Sequence, residues 1–395
     1  MKYLVVIADG MSDYPLEELG GQTPLQAAHT PAMDDLARRG AVGMVNTLIE
    51  DMPFDSVIAN LSILGYDPDC YFPGRGPLEA VAMGISLHAR DVAFRCNLVT
   101  SDGERLVDYS AGHVTTDEAR IIIETVDDKL GSARMKFMPG VGYRHLLLWE
   151  DGPLDLRTFP PHDHVGERLD DILPVGEEDD RLRQMMWDSL EILDDHEINR
   201  RRRGEGLNPA NMIWPWSQGR RPELPDFRLK YGITGAVISA VDLLKGIGKA
   251  AGMKVIEVPG ATGYLDTNYR AKAQRAVEAL HTHDLLYLHV EAPDEAGHMG
   301  DIEEKIKAIE RIDEIVVSFA LRELRAMGEW RVLVMPDHAT PIAVRTHVLD
   351  PVPFVMCPPP PGLSGHDAEA FHEAAAADTG LHIEVGHELL GWFVA

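Results

Sequence analysis

Three apolar runs in this chain lead into aspartates. Lys2–Ala8 (KYLVVIA) stops at Asp9. Leu285–Val290 (LLYLHV) leads through Glu291-Ala-Pro to Asp294, and Arg331–Met335 (RVLVM) leads through Pro336 to Asp337. Two of these acids have a histidine close by, in Asp294-Glu-Ala-Gly-His298 and Asp337-His338. A buried strand that stops at an acid delivers it to the carboxyl edge of a sheet, where open α/β sheets bind their ligands. Carboxylates gathered there repel one another unless a cation lies between them. The pattern therefore points to a metal centre and an enzyme.

The same logic extends to neighbouring residues. Asp294 and His298 are spaced to share one helical face. His347 precedes another apolar run, Val352–Met356. A lone histidine there is more often a hydrogen-bonded loop residue, and Asp9-Gly10 alone reads as a turn; the case rests on all these elements occurring together. Mixed Asp/His ligation suits Mn²⁺, Zn²⁺ or Mg²⁺. Ser56 is the candidate nucleophile. It stands at the start of an expected helix, Asp55–Leu64, where exposed N–H groups favour an anion. Its position alone fits a plain N-cap. A serine needs a base or a metal to become nucleophilic, and the aspartates would supply that metal.

The elements that must position these residues alternate. Thr30-Pro31 predicts a helix with an N-cap, closed by Gly40. From about residue 232 the expected order is a helix over Gly235–Leu244, a strand over Lys254–Val258 and a helix over Lys272–Leu280. The Leu285 strand, a long helix over Ile302–Met327, the Arg331 strand and the Val352 strand follow. This is doubly wound α/β character. The middle reads differently: strands over Val92–Thr100 and Tyr143–Trp149, helices over Thr116–Lys129 and Asp180–Asp194, and a basic run at Arg200–Arg203 taken as a solvated helix end. Trp214 and Trp216 read as core. The sequence predicts an α/β core from residues 1–87 and 229–395 and an inserted smaller α+β domain over residues 88–228.

Composition narrows the function. The chain has 395 residues, 45% hydrophobic, with a formal net charge of −27. So acidic a chain argues against nucleic acid or an anionic membrane as partner. No apolar stretch is long enough to span a bilayer, and no signal peptide is read. The three cysteines, Cys70, Cys96 and Cys357, are widely spaced and fit a reducing cytoplasm. Oligomeric state is left open.

Taken together, Val6-Ile-Ala-Asp-Gly10, Thr23-Pro-Leu-Gln-Ala-Ala28, Leu64-Gly-Tyr-Asp-Pro68, Gly74-Arg-Gly-Pro-Leu-Glu-Ala80, Ala93-Phe-Arg-Cys-Asn97, Gly260-Ala-Thr-Gly263, Asp294-Glu-Ala-Gly-His298 and Pro336-Asp-His338 span nearly the whole chain. They resemble the archaeal-type, cofactor-independent phosphoglycerate mutases of the alkaline phosphatase superfamily. The resemblance implies an alkaline-phosphatase-like core holding two divalent ions, Mn²⁺ first, with Zn²⁺, Mg²⁺ or Co²⁺ as alternatives, and no 2,3-bisphosphoglycerate. By position, Asp294, His298 and His347 would hold one ion. Asp9, Asp337, His338 and the Ser56 hydroxyl would hold the other. Lys245 corresponds to a lysine near the phosphoryl group. The segment around Ser56 departs from the family's Gly-Ser-Asp-Thr-Ala-His: here it is Asp55-Ser-Val-Ile-Ala-Asn60, with asparagine in place of histidine. That resembles a bacterial branch, sharing Ile213-Trp-Pro-Trp-Ser217, for which homoserine kinase activity has been proposed.

The implied reaction takes a small phosphorylated metabolite, 3-phosphoglycerate, through a phosphoserine at Ser56. Glycerate is retained and rephosphorylated on its other hydroxyl. Arg95, Arg144, Arg220 and Arg221 are candidates for its carboxylate, since a guanidinium fork matches one. His113 is a candidate acid/base. The alternatives are transfer to another acceptor such as homoserine, and a catalytically silent metal-binding relative. The absence of a GxxxxGK[ST] loop makes a nucleotide donor less natural.

Overall fold

The computed structural model describes residues 1–177, 179–363 and 368–395. They form two compact units, Met1–Phe72 with Leu224–Ala395, and Pro73–Glu223.

The first unit is built on an eight-stranded sheet. Its order is Lys254–Val255, Gly235–Ile238, Leu285–Val290, Lys2–Ala8, Trp330–Met335, Val352–Cys357, Ala41–Val45 and His382–Ile383. All neighbours run parallel except Val352–Cys357, which is antiparallel to both of its partners. The three central strands are apolar on both faces and almost wholly buried, as parallel strands covered on both sides must be. Their register is tight: Ala8 pairs with Val290 and Ile7 with Met335. Three strands that end level place Asp9, Glu291 and Asp337 together at one edge.

Several local expectations are corrected. Gly235–Ile238 is a strand, and the helix comes later, over Asp242–Ala250. A short buried apolar run gives no periodicity to separate the two. The long helix exists but contains a π-turn over Ile312–Val317. Inside that turn, Asp313 accepts hydrogen bonds from the backbone N–H groups of Ala32 and Met33. It thereby caps the helix Pro31–Arg39, where the Thr30 side chain makes no cap bond. Ser56 is likewise not a cap: Asp55 is, accepting from the Val57 N–H, so Ser56 is the first residue of the helix Ser56–Ile63.

The second unit is α+β. Asp91–Ser101 pairs antiparallel with Leu106–Asp108, Arg144–Glu150 and Met212–Gly219, and Met135–Val141 extends the sheet from Arg144–Glu150. The helix Thr116–Leu130 opens with a reciprocal capping box between Thr115 and Glu118. The helix Arg75–Ala82 belongs to this unit, which begins at Pro73 rather than at residue 88. The Arg200–Arg203 run is not simply a solvated helix end. Arg202 is buried, pairs with Glu118 and donates to the Ala111 and Asn208 carbonyls. No helix among the described residues is long and apolar enough to cross a membrane.

Candidate metal centre

Asp294 and His298 both lie in the helix Ala292–Met299, and His347 reaches them from a loop. His298 Nε2 is 3.1 Å from Asp294 Oδ2, His347 Nε2 is 3.5 Å from Asp294 Oδ1, and the two Nε2 atoms are 3.2 Å apart. Each Nδ1 faces a carbonyl at 2.9 Å, that of Arg345 for His298 and that of Phe54 for His347. A carbonyl only accepts, so both Nδ1 atoms carry the hydrogen. While the rings are neutral, both Nε2 lone pairs point at each other and at a carboxylate. A positive charge there, a proton or a metal ion, relieves that arrangement. Their titration tells the same story. Burial opposes charge on His298, yet Asp294 pushes its pKa up to about 9, and His347 is also raised. Asp294, though buried, is held well below the usual carboxylate range by these two rings.

A second cluster abuts the first. Asp9 Oδ1 lies 3.4 Å from His338 Nε2, and Asp337 Oδ2 lies 3.7 Å from it. Asp337 Oδ1 accepts from the backbone N–H groups of Gly10 and His338. Ser56 Oγ is 2.9 Å from His338 Nε2. The Thr340 hydroxyl donates to Asp294 Oδ1, so its lone pair receives the His338 Nδ1–H at 3.2 Å. His338 Nε2 thus presents a lone pair toward Ser56 and the two carboxylates. Burial holds the ring down to about 4, keeping it neutral. Asp9 is pushed well above its ordinary value by burial and then by Asp337 and Asp294. Metal bonds of about 2.1 Å in a tetrahedron give ligand–ligand edges of roughly 3.4 Å. The 3.4–3.7 Å spacings of Asp9 and Asp337 to His338, and of Asp294 to His347, match that edge better than hydrogen-bond lengths, and Asp9 Oδ1 has no hydrogen-bond partner. The donor set fits two divalent ions of N/O preference.

Glycine makes room for this packing. Gly10 has a φ of +61°, and a Cβ there would lie 2.6 Å from Asp294 Oδ1 and 2.7 Å from its Cα.

All seven expected ligands converge. Lys245 instead pairs with Glu257 at 3.2 Å and Asp242 at 3.5 Å. In the second unit, Arg95 is buried, paired with Glu79 and donating to Asn97 Oδ1 at 3.0 Å. It shares the Trp216 ring with Arg75, which the sequence reading missed. Trp214 and Trp216 are buried. Arg144 is exposed and lies over Tyr143. Arg220 reaches the Ala89 carbonyl, while Arg221 and His113 are exposed.

Three further residues escaped the sequence reading of the metal cluster. Asn60 was noted only as a departure. Fully buried, it donates from Nδ2 to the Ser56 carbonyl and to Asp337 Oδ2, each at 2.7 Å, and accepts from the Tyr287 hydroxyl. His289 and Glu291 lie behind Asp9. A histidine inside the apolar run LLYLHV was the available signal.

Comparison with known proteins agrees with this picture. A family model described as 2,3-bisphosphoglycerate-independent phosphoglycerate mutase matches residues 37–199. A relative of that name from Methanosarcina barkeri is 51% identical over 396 residues, covering 100% of this chain and 99% of its own. A probable enzyme of the same name from Geobacter sulfurreducens is 49% identical, covering 99% and 98%. A solved Pyrococcus horikoshii structure superposes with a TM-score of 0.82 at 30% identity, covering 99% of this chain and 95% of that one. The cofactor-independent phosphoglycerate mutase of Thermoplasma acidophilum gives 0.65 at 27% identity, covering 99% and 98%.

Proposed function

The chain belongs to the 2,3-bisphosphoglycerate-independent phosphoglycerate mutase family, and on that premise we propose that it interconverts 3- and 2-phosphoglycerate through a phosphoserine on Ser56. The observation that carries the residue assignment is the 2.9 Å approach of Ser56 Oγ to His338 Nε2, beside a cluster built for cations. Asp294, His298 and His347 would hold one divalent ion; Asp9, Asp337, His338 and Ser56 would hold the other, with Mn²⁺ the first choice. When bound, such ions supply neutralisation of the serine alkoxide and of the phosphoryl oxygens.

The chain's own residues divide the remaining work. Ser56 Oγ attacks phosphorus as its proton leaves, the bond to the glycerate oxygen breaks and that oxygen takes up a proton, and the phosphoryl group rests on the first residue of a helix whose N-terminal N–H groups favour an anion. Glycerate then turns, its other hydroxyl attacks the phosphoserine, and Ser56 is regenerated. Asn60 holds the Ser56 carbonyl and Asp337 in fixed relation throughout. Glycerate's carboxylate calls for a guanidinium; of the four candidates Arg95 is already committed to Glu79, which leaves Arg144, Arg220 and Arg221. Lys245 would join the phosphoryl group only by leaving Glu257 and Asp242. No 2,3-bisphosphoglycerate is required, because the serine itself stores the phosphoryl group. We place the reaction in the cytoplasm.

The names of the relatives support the mutase and not transfer to homoserine. A paired assay tests this: interconversion of the two phosphoglycerates by the Mn²⁺-loaded protein, against ATP-dependent phosphorylation of homoserine. Turnover in the first alone is expected; turnover only in the second would overturn the assignment.

A further inference from the structure

Thr340 is fully buried two residues after His338, and its side chain touches both ligand clusters. The hydroxyl donates to Asp294 Oδ1, which groups with His298 and His347. The same oxygen lies 3.2 Å from Nδ1 of His338, the ring whose Nε2 faces Ser56, Asp9 and Asp337. A hydroxyl has one hydrogen, and an ionised carboxylate only accepts. With that hydrogen on Asp294, the contact to His338 is a hydrogen bond only when Nδ1 carries the ring proton. Nε2 is then a lone pair, the form a metal ion needs.

The surroundings leave that hydroxyl little latitude. The Thr340 N–H donates to the Ser12 carbonyl at 3.2 Å, and the Thr340 carbonyl accepts from the buried Lys305 Nζ at 2.8 Å. Lys305 Nζ also donates to Asp13 Oδ2 at 2.6 Å and to the Ser12 carbonyl at 3.4 Å, which uses all three of its hydrogens. One ammonium thus ties the segment after Asp9 to the segment after His338. Two glycines clear the space: a Cβ on Gly10 would lie 2.6 Å from Thr340 Oγ1, and one on Gly297 would lie 2.9 Å from its Cγ2. We propose that Thr340 is the positioning residue that couples the two ion sites, a single hydroxyl holding the Asp294 carboxylate for one ion and fixing His338 with its Nε2 lone pair toward the other. Groups that hydrogen-bond metal ligands from behind set their orientation and tautomer. The inference rests on the two-metal reading above and deepens it. Its consequence is that loss of one hydroxyl weakens both sites together.

The test reads the tautomer first and affinity second. In metal-free protein carrying ¹⁵N-labelled histidine, long-range ¹H–¹⁵N correlations tell a ring protonated at Nδ1 from one protonated at Nε2, and the His338 signal is assigned by its loss in His338→Gln. An Nδ1–H ring at His338 is expected in the parent and in Thr340→Ser, and its loss in Thr340→Val, which keeps the shape and removes the oxygen. In calorimetric titration with Mn²⁺, Thr340→Val should bind both ions about 10–100-fold more weakly, and Thr340→Ser should restore parent affinity at both. An Nε2–H ring in the metal-free parent would overturn the proposal. So would parent-like affinity in Thr340→Val, a loss confined to one site, or a Thr340→Ser protein as weak as Thr340→Val. Failure of the two-metal reading shows separately, as a parent that binds fewer than two Mn²⁺, and would overturn this proposal with it.

Discussion

Replacing Asn60 with leucine should be among the most damaging conservative changes in this protein. The side chains are of similar size and the site is fully buried, so the effect isolates polar satisfaction. The Ser56 carbonyl keeps its place in the ladder of the helix Ser56–Ile63. Two other partners are stranded. Asp337 Oδ2 loses the amide donor at 2.7 Å, and the Tyr287 hydroxyl loses its acceptor. A lost hydrogen bond to a charged group is worth about 1.5–3 kcal/mol, and an unsatisfied buried hydroxyl about 1–3 kcal/mol. The expected loss is about 3–5 kcal/mol, measured by urea unfolding in chelator. Tyr287→Phe removes the hydroxyl alone and should cost about 1–2 kcal/mol. Combining the two should cost less than their sum by about 1 kcal/mol or more, because the double variant has no stranded hydroxyl. An Asn60→Leu protein within about 0.5 kcal/mol of the parent would refute the network, as would strict additivity.

Gly10→Ala should weaken metal binding at least tenfold: a positive φ costs a side chain about 1–2 kcal/mol, and the new Cβ would press on Asp294 backbone and side chain. Calorimetric titration with Mn²⁺ checks this, and parent-like affinity would contradict the packing argument. Exhaustive chelation should abolish turnover and added Mn²⁺ should restore it; full activity in chelator would remove the metal centre from the account. A pH effect is expected from His145 in the second unit. Its Nδ1 accepts from the Gly140 N–H, and burial, then Arg95, push its pKa down to about 3 from the ordinary 6.5. The unfolded ring binds a proton below that ordinary value and the folded ring does not, so stability falls as pH drops through the window. The slope from this residue approaches about 1.4 kcal/mol per pH unit. His145→Asn, which keeps an acceptor for Gly140, should flatten the slope of urea-unfolding stability between pH 6 and 4; an unchanged slope would refute it.

What the sequence discloses and what it hides follow from range. Asp9, Asp294 and Asp337 were legible because each follows an apolar run rich in strand-favouring residues that ends at or shortly before an acid. His298 and His338 were legible because they sit within four residues of those acids. Residues whose meaning depends on distant partners were not. Arg202 looked like one of four solvated arginines, yet Glu118 and the Ala111 carbonyl bury it. Asp313 caps a helix through the N–H of Ala32, 281 residues earlier in the chain. His289 was absorbed into its strand, since only the folded sheet sets it beside Asp9. Gly235–Ile238 was misread because a strand covered on both faces has no alternation to show. The arginines of the second unit were singled out by type, and type does not reveal that Arg95 is already committed to Glu79.

The proposed reaction depends on one atom, Ser56 Oγ. Acid-quenching the Mn²⁺-loaded protein during turnover of 3-phosphoglycerate and mapping its peptides by mass spectrometry should find phosphate on Ser56, and none after Ser56→Ala. Phosphate on a different residue, or turnover that survives Ser56→Ala, would contradict it.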